Sequence, residues 1–229
     1  MVPRLPLALV VPPGQTSHYF DDDPSAPSAT RTVALVLPDL RLELTTDRGV
    51  FGRDRVDPGT KLLLLEAPAG PLGPAAVHDG PAVLVDVGAG YGPIACALAL
   101  RNPEATVWAV EVNARARDLC RTNATAAGLT NVMVAAPDDV PDDLVVDGLW
   151  SNPPIRIGKA ALHELVVTWL DRLGPGAMAH LVVQRHLGAD SLARWLVQRG
   201  HGVERRASRQ GYRLLDVTPT EDRAGGDGP

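Results

Sequence analysis

Hydrophobic and polar positions change their period along this chain, and the change divides it. Residues 32–37 and 41–46 are strand-like runs separated by Pro38-Asp39, which predicts a β-hairpin. The leucines at 62–65 begin a short helix, and residues 68–80 read as a loop. From residue 82 onward, apolar runs of strand length alternate with stretches of helical period. The expected order is strand 82–87, helix 93–101, strand 106–111, helix 114–127, strands 132–135 and 145–150, helix 159–173, strand 179–184, helix 191–199, and strands 202–207 and 212–217. Helices 114–127 and 191–199 run into Gly128 and Gly200, a residue that commonly closes a helix. Such alternation predicts parallel strands with helices on both faces. Two closing strands with no helix between them require one antiparallel strand.

The expected fold class is therefore α/β, a Rossmann-like seven-stranded, mostly parallel sheet with an antiparallel closing strand and an N-terminal β-hairpin extension. Residues 1–78 form the arm and hairpin, with His18-Tyr19-Phe20 as an apolar anchor; 79–218 form the sheet domain; 219–229, with Gly225, Gly226 and Gly228, form a disordered tail. A chain of 229 residues suffices for one well-buried domain with such an extension.

Composition narrows the function classes. A formal charge of −5 gives no chain-wide attraction to nucleic acid. Charge is uneven, however. Residues 171–213 hold eight Arg and three His against Asp171, Asp190 and Glu204, whereas 138–147 hold five Asp. The apolar run 5–11 is bounded by prolines and far too short to span a membrane. Cys96 and Cys120 lie in helix-like stretches, not at metal-ligand spacing. A soluble cytoplasmic protein is expected, with no membrane and no metal.

The chemistry gathers at strand ends, where open α/β sheets bind ligands. Leu84-Val85-Asp86-Val87-Gly88-Ala89-Gly90-Tyr91-Gly92 is a strand followed by a glycine turn, with a helix after Pro93. Glycines allow positive φ and close backbone approach to a ligand. Pro93 stands where a dinucleotide fold has its third glycine, and Asp86 suits a cationic ligand better than a pyrophosphate. Glu111, at the end of the next strand, can accept both hydroxyls of a ribose. Ser151-Asn152-Pro153-Pro154-Ile155 closes a later strand. Its prolines remove two backbone donors and fix φ. They leave the Asn152 side-chain oxygen and the Pro153 carbonyl as acceptors suited to a group with two N–H bonds.

The glycine stretch resembles the D-x-G-x-G-x-G motif of class I S-adenosylmethionine-dependent methyltransferases. Asn152-Pro153-Pro154 resembles the (N/D)PP(F/Y/W) motif of amino-methyltransferases acting on adenine N6, guanine N2 or a glutamine amide. More widely, residues 45–217 resemble the methyltransferase small domain family, which includes ribosomal RNA guanine-N2 methyltransferases of the small subunit. Gly49-Val50-Phe51, Asp57-x-Gly59-Thr60-x-Leu62-Leu63, Gly158 and the run 181–187 also carry that likeness. The resemblance implies S-adenosylmethionine as cofactor. It implies cofactor contacts from Asp86, Gly88, Ala89, Gly90, Gly92, Glu111, Asn152 and Phe51, and an adenine contact from Asp138 or Asp139, of which Asp138 is preferred. It assigns the catalytic turn to Asn152, Pro153, Pro154 and Ile155. Ile155 departs from the pattern, since an aromatic residue usually stacks on the target ring there; Phe51, Tyr91 and Tyr212 are rings that could replace it.

The expected function is N-methylation of a guanine amine in ribosomal RNA. RNA docking is expected at the basic stretch 185–213, with Arg156 and Lys159 available to phosphate. A protein glutamine or small-molecule acceptor is the alternative, and a non-catalytic cofactor- or RNA-binding module is a second.

Overall fold

The computed structural model describes residues 27–71 and 80–220. The expected aromatic anchor at 18–20 and the glycine-rich tail lie outside them.

Strands β1 (Arg31–Val36) and β2 (Arg41–Thr46) pair antiparallel as the expected hairpin. Helix α1 (Pro58–Glu66) follows. Then come β3 (Val83–Val87), α2 (Pro93–Arg101), β4 (Thr106–Val110), α3 (Ala114–Ala126), β5 (Val132–Ala135) and β6 (Val146–Ser151). The chain ends with α4 (Lys159–Leu170), β7 (Leu173–Gln184), α5 (Ala189–Gln198), β8 (Gly202–Arg209) and β9 (Tyr212–Thr218). The seven-stranded sheet has the order β5-β4-β3-β6-β7-β9-β8, and β9 runs antiparallel to both its neighbours. Strand order reverses between β3 and β6, which opens a crevice at their carboxyl ends.

Two boundaries differ from expectation. Helix α1 begins at Pro58, not Leu62, because Asp57 caps it: its Oδ2 accepts from the N–H groups of Gly59 at 2.7 Å and Thr60 at 3.2 Å. Proline at the first helical position loses no hydrogen bond. Helix α4 stops at Leu170, and Leu173 already pairs with Val146 in the sheet. Pro175 and the two glycines beside it make an irregular start to β7, with a register shift opposite β6.

The hairpin shares one apolar core with the sheet. Val33, Leu35, Leu42 and Leu44 pack in the same cluster as Leu84, Ile94 and Leu98. Asn123 on α3 locks this junction. It accepts from the Thr45 N–H at 2.7 Å and donates to the carbonyls of Thr45 at 2.9 Å and Tyr91 at 2.8 Å. A buried amide with its hydrogen-bonding capacity so used fixes the glycine turn relative to the hairpin.

Candidate active site

The crevice holds a cavity of about 510 Å³, within the range of small-molecule sites.

The glycine turn forms one wall. Gly88 and Ala89 donate to the Val110 carbonyl at 2.9 and 3.1 Å, which ties the turn to the end of β4. Gly88 has φ +75°, and a Cβ there would lie 3.5 Å from Pro154 Cδ. The two motifs, far apart in sequence, therefore lie side by side. Glu111 is nearly buried; its Oε2 accepts from Gly90 N–H at 2.8 Å and its Oε1 from Asn113 N–H at 2.9 Å. Burial raises its pKa against the pull of these donors and of Arg117. Glu111 lines the cavity, where its carboxylate can accept from a ligand hydroxyl.

Three expected cofactor residues do not line the cavity. Gly92 has φ +91° and opens α2, and a Cβ there would sit 2.5 Å from Cys120 Sγ. It is the point where α2 packs on α3, set back from the ligand space. Asp138 is exposed in a short turn, Pro137–Asp139, and only Pro137 reaches the wall. Asp86 is fully buried beneath the turn. Gly92 has no side chain to cap α2, so Asp86 Oδ2 accepts from Ala95 N–H at 3.0 Å instead. Asp86 Oδ1 is buried with no hydrogen-bond partner. Burial, with the nearby Glu111 charge, raises the Asp86 pKa to about 8.

That shift has a sign. Below about pH 4 the Asp86 carboxyl is protonated in both folded and unfolded chains. Between there and about pH 8 only the unfolded chain loses the proton, so the folded state binds more protons and stability falls as pH rises. Urea unfolding at pH 5 and pH 8 is expected to show this loss in the parent and a smaller loss in Asp86→Asn; equal losses would contradict it.

The opposite wall is the proline turn. Ser151 Oγ donates to the Val87 carbonyl at 2.6 Å and joins the ends of β6 and β3. Asn152 Nδ2 donates to Asp57 Oδ2 at 3.0 Å and Thr60 Oγ1 at 3.1 Å. Its Oδ1 and the Pro153 carbonyl accept no hydrogen bond among the described residues, whereas the Pro154 carbonyl takes Ile157 N–H at 3.2 Å. Ile155 lines the cavity, as do Phe51, which is half exposed, and Tyr212. Tyr91 also lines it, but its ring is almost fully buried.

Asp57, Thr60, Glu164 and Gln184 line the cavity without having been expected there. The Asp-Pro-Gly-Thr run was legible as a helix cap; nothing local marked Glu164 or Gln184. The basic stretch is partly neutralised. Arg206 pairs with Asp216 at 2.6 Å, Arg209 with Glu66 at 3.0 Å, and Arg205 and Arg213 both with Asp190. Arg156 and Lys159, beside the proline turn, are exposed and have no ion pair among the described residues. Among those residues no group of three His, Cys, Asp or Glu could hold a metal, and no helix is long and apolar enough to cross a membrane.

Comparison with known proteins agrees with this geometry. The methyltransferase small domain model matches residues 41–216. An uncharacterized Bacillus subtilis protein, YbxB, is 31% identical over 205 residues, covering 87% of this chain and 97% of its own. Ribosomal RNA small subunit methyltransferase C of Shewanella halifaxensis is 33% identical over 144 residues, 61% of this chain and 39% of that protein. This chain thus spans about two fifths of that relative. The fold is similar to that of the T. thermophilus 16S rRNA N2 G1207 methyltransferase solved with AdoMet and guanosine, with TM-score 0.67 and 23% identity over 85% of this chain and 52% of that one.

Proposed function

The chain belongs to the methyltransferase small domain family, and from that premise we propose that it transfers the methyl group of S-adenosylmethionine to the exocyclic N2 amine of a guanine in ribosomal RNA. One observation carries the reading. Two free acceptors, Asn152 Oδ1 and the Pro153 carbonyl, stand in a rigid turn that lies beside the glycine turn at Gly88.

The cavity fits the cofactor. Its volume suffices, Glu111 puts a carboxylate on the wall, and Asp86 keeps a buried orphan oxygen below the turn. When bound, S-adenosylmethionine supplies an electrophilic methyl on a sulfonium, a leaving group that needs no acid. The protein supplies alignment. Glu111 would hold the ribose, with Phe51 and Pro137 as apolar cover at the cavity wall.

On the acceptor side, a ring-conjugated amine is a poor nucleophile because its lone pair is delocalised. Asn152 Oδ1 and the Pro153 carbonyl accept hydrogen bonds from its two N–H groups and turn that lone pair toward the methyl; the N–C bond would form as the C–S bond breaks, and the methylated nitrogen would release its surplus proton to water. Tyr212 supplies the aromatic surface that Ile155 lacks. Arg156 and Lys159 meet the flanking phosphates, because four arginines of the basic stretch are already engaged in ion pairs. The missing ring at 155 favours a second reading, a protein glutamine or small-molecule amine as acceptor. Labelled methyl transfer separates the two: label is expected in deproteinised ribosomal RNA or ribosomal subunits. Label confined to protein would reject the RNA reading.

A further inference from the structure

An amide side chain can be turned over, and Asn152 serves the proposed reaction only one way round. Its oxygen must face the acceptor and its Nδ2 must face away. Two groups touch Nδ2. The Thr60 hydroxyl lies at 3.1 Å, but a hydroxyl donates or accepts and would tolerate either orientation. The Asp57 carboxylate, at 3.0 Å, only accepts. With the amide reversed, two oxygens would face each other there with no proton between them.

Asp57 is itself held from three sides. Its Oδ2 also caps α1 through Gly59 and Thr60 N–H, and its Oδ1 accepts from Tyr212 Oη at 3.0 Å. The Tyr212 ring lies so close over Gly59 that a Cβ there would fall 2.6 Å from two ring carbons. One carboxylate thus joins the start of α1, the acceptor turn and β9. A cap needs only the backbone contacts; the further bonds to Asn152 and Tyr212 go beyond capping.

We infer that Asp57 is a positioning residue, locked by Tyr212, that sets the Asn152 amide with Oδ1 toward the acceptor amine. The inference rests on the role proposed for Asn152. Asp57 touches no reacting atom; it acts through Asn152.

The test is a double-mutant cycle on the full chain, with ribosomal RNA as substrate and S-adenosylmethionine affinity measured by calorimetry. Asp57→Ser keeps a capping oxygen but is too short to reach Asn152. It is expected to lower kcat about tenfold with cofactor affinity retained, a modest misalignment effect. Asp57→Asn, whose amide oxygen can take the donors of Oδ2, restores most of that loss. In an Asn152→Ala background, Asp57→Ser is expected to cost nothing further, because its only route is gone. A loss that persists in that background would make Asp57 merely structural and overturn the inference, as would an Asp57→Ser variant as active as the parent. If Asn152→Ala itself turns over normally, the role given to Asn152 fails first and the inference with it.

Discussion

Replacing Asn152 by Ala is expected to lower kcat for methyl transfer about 10²-fold while the Kd for S-adenosylmethionine stays where it was. The size follows from what the side chain does. In the proposed reaction Asn152 Oδ1 is one of two acceptors that orient the amine, and the other, the Pro153 carbonyl, stays in place because Pro153 is buried and the turn is conformationally fixed. Losing one of two aligned acceptors leaves the amine free to rotate back into conjugation. The effect falls on turnover because the nucleophilic lone pair develops on the way to the transition state, so the bond is worth more there than in the ground state. The proposed role of Asn152 is toward the acceptor and that of Glu111 toward the cofactor ribose, so cofactor affinity is the internal control. Single-turnover transfer with saturating cofactor, paired with calorimetry, measures both. Unchanged turnover at unchanged affinity would remove Asn152 from the reaction.

Gly92→Ala is expected to destabilise the fold by about 3 kcal/mol. Two terms add. A left-handed backbone costs an L-residue roughly 1–2 kcal/mol, and Gly92 has φ +91°. Overpacking a filled interior costs roughly 1–3 kcal/mol, and the new Cβ would meet Cys120 Sγ at 2.5 Å. Cys120 is fully buried. Urea unfolding measures the total. The same substitution in a Cys120→Ala background is expected to recover part of the packing term and none of the backbone term. Equal destabilisation in both backgrounds would show that the sulfur is not the obstacle. This prediction also separates the last glycine of the motif from the first: Gly92 holds helices together, whereas Gly88 lines the ligand space.

Much of this architecture was legible in the sequence because it is local. The hairpin came from two short runs around Pro38-Asp39, and the doubly wound sheet from the alternation of strand and helix patterns. The meeting of the glycine turn with Asn152-Pro153-Pro154 followed from placing both at strand ends beside a strand-order switch. What the sequence did not disclose is side-chain pairing over distance. Asp57 reaches Asn152 across 95 residues and Tyr212 across 155, and no periodicity encodes such contacts. Asp57-Pro58 did carry a local signal, the cap and first-turn proline of a helix, but the leucines after it drew the helix start four residues too late. Asp138 stands off the cavity wall for a different reason. The short turn at Pro137 leaves both following carboxylates exposed and only the proline ring on the wall. Asp86 shows how a motif residue can be taken up by the fold, capping α2 with one oxygen and leaving the other buried and unpaired. The arginine-rich strand β8 shows that counting basic residues overstates free charge, since Arg205, Arg206 and Arg209 already have carboxylate partners.

The acceptor is the centre of the account, and analysis of the methylated product tests it most directly. Ribosomal RNA is incubated with the protein and deuterium-labelled S-adenosylmethionine, digested to nucleosides and resolved by mass spectrometry. Label is expected in N2-methylguanosine and is expected to be lost in Asn152→Ala. Label in another nucleoside, or in protein and not RNA, would contradict it.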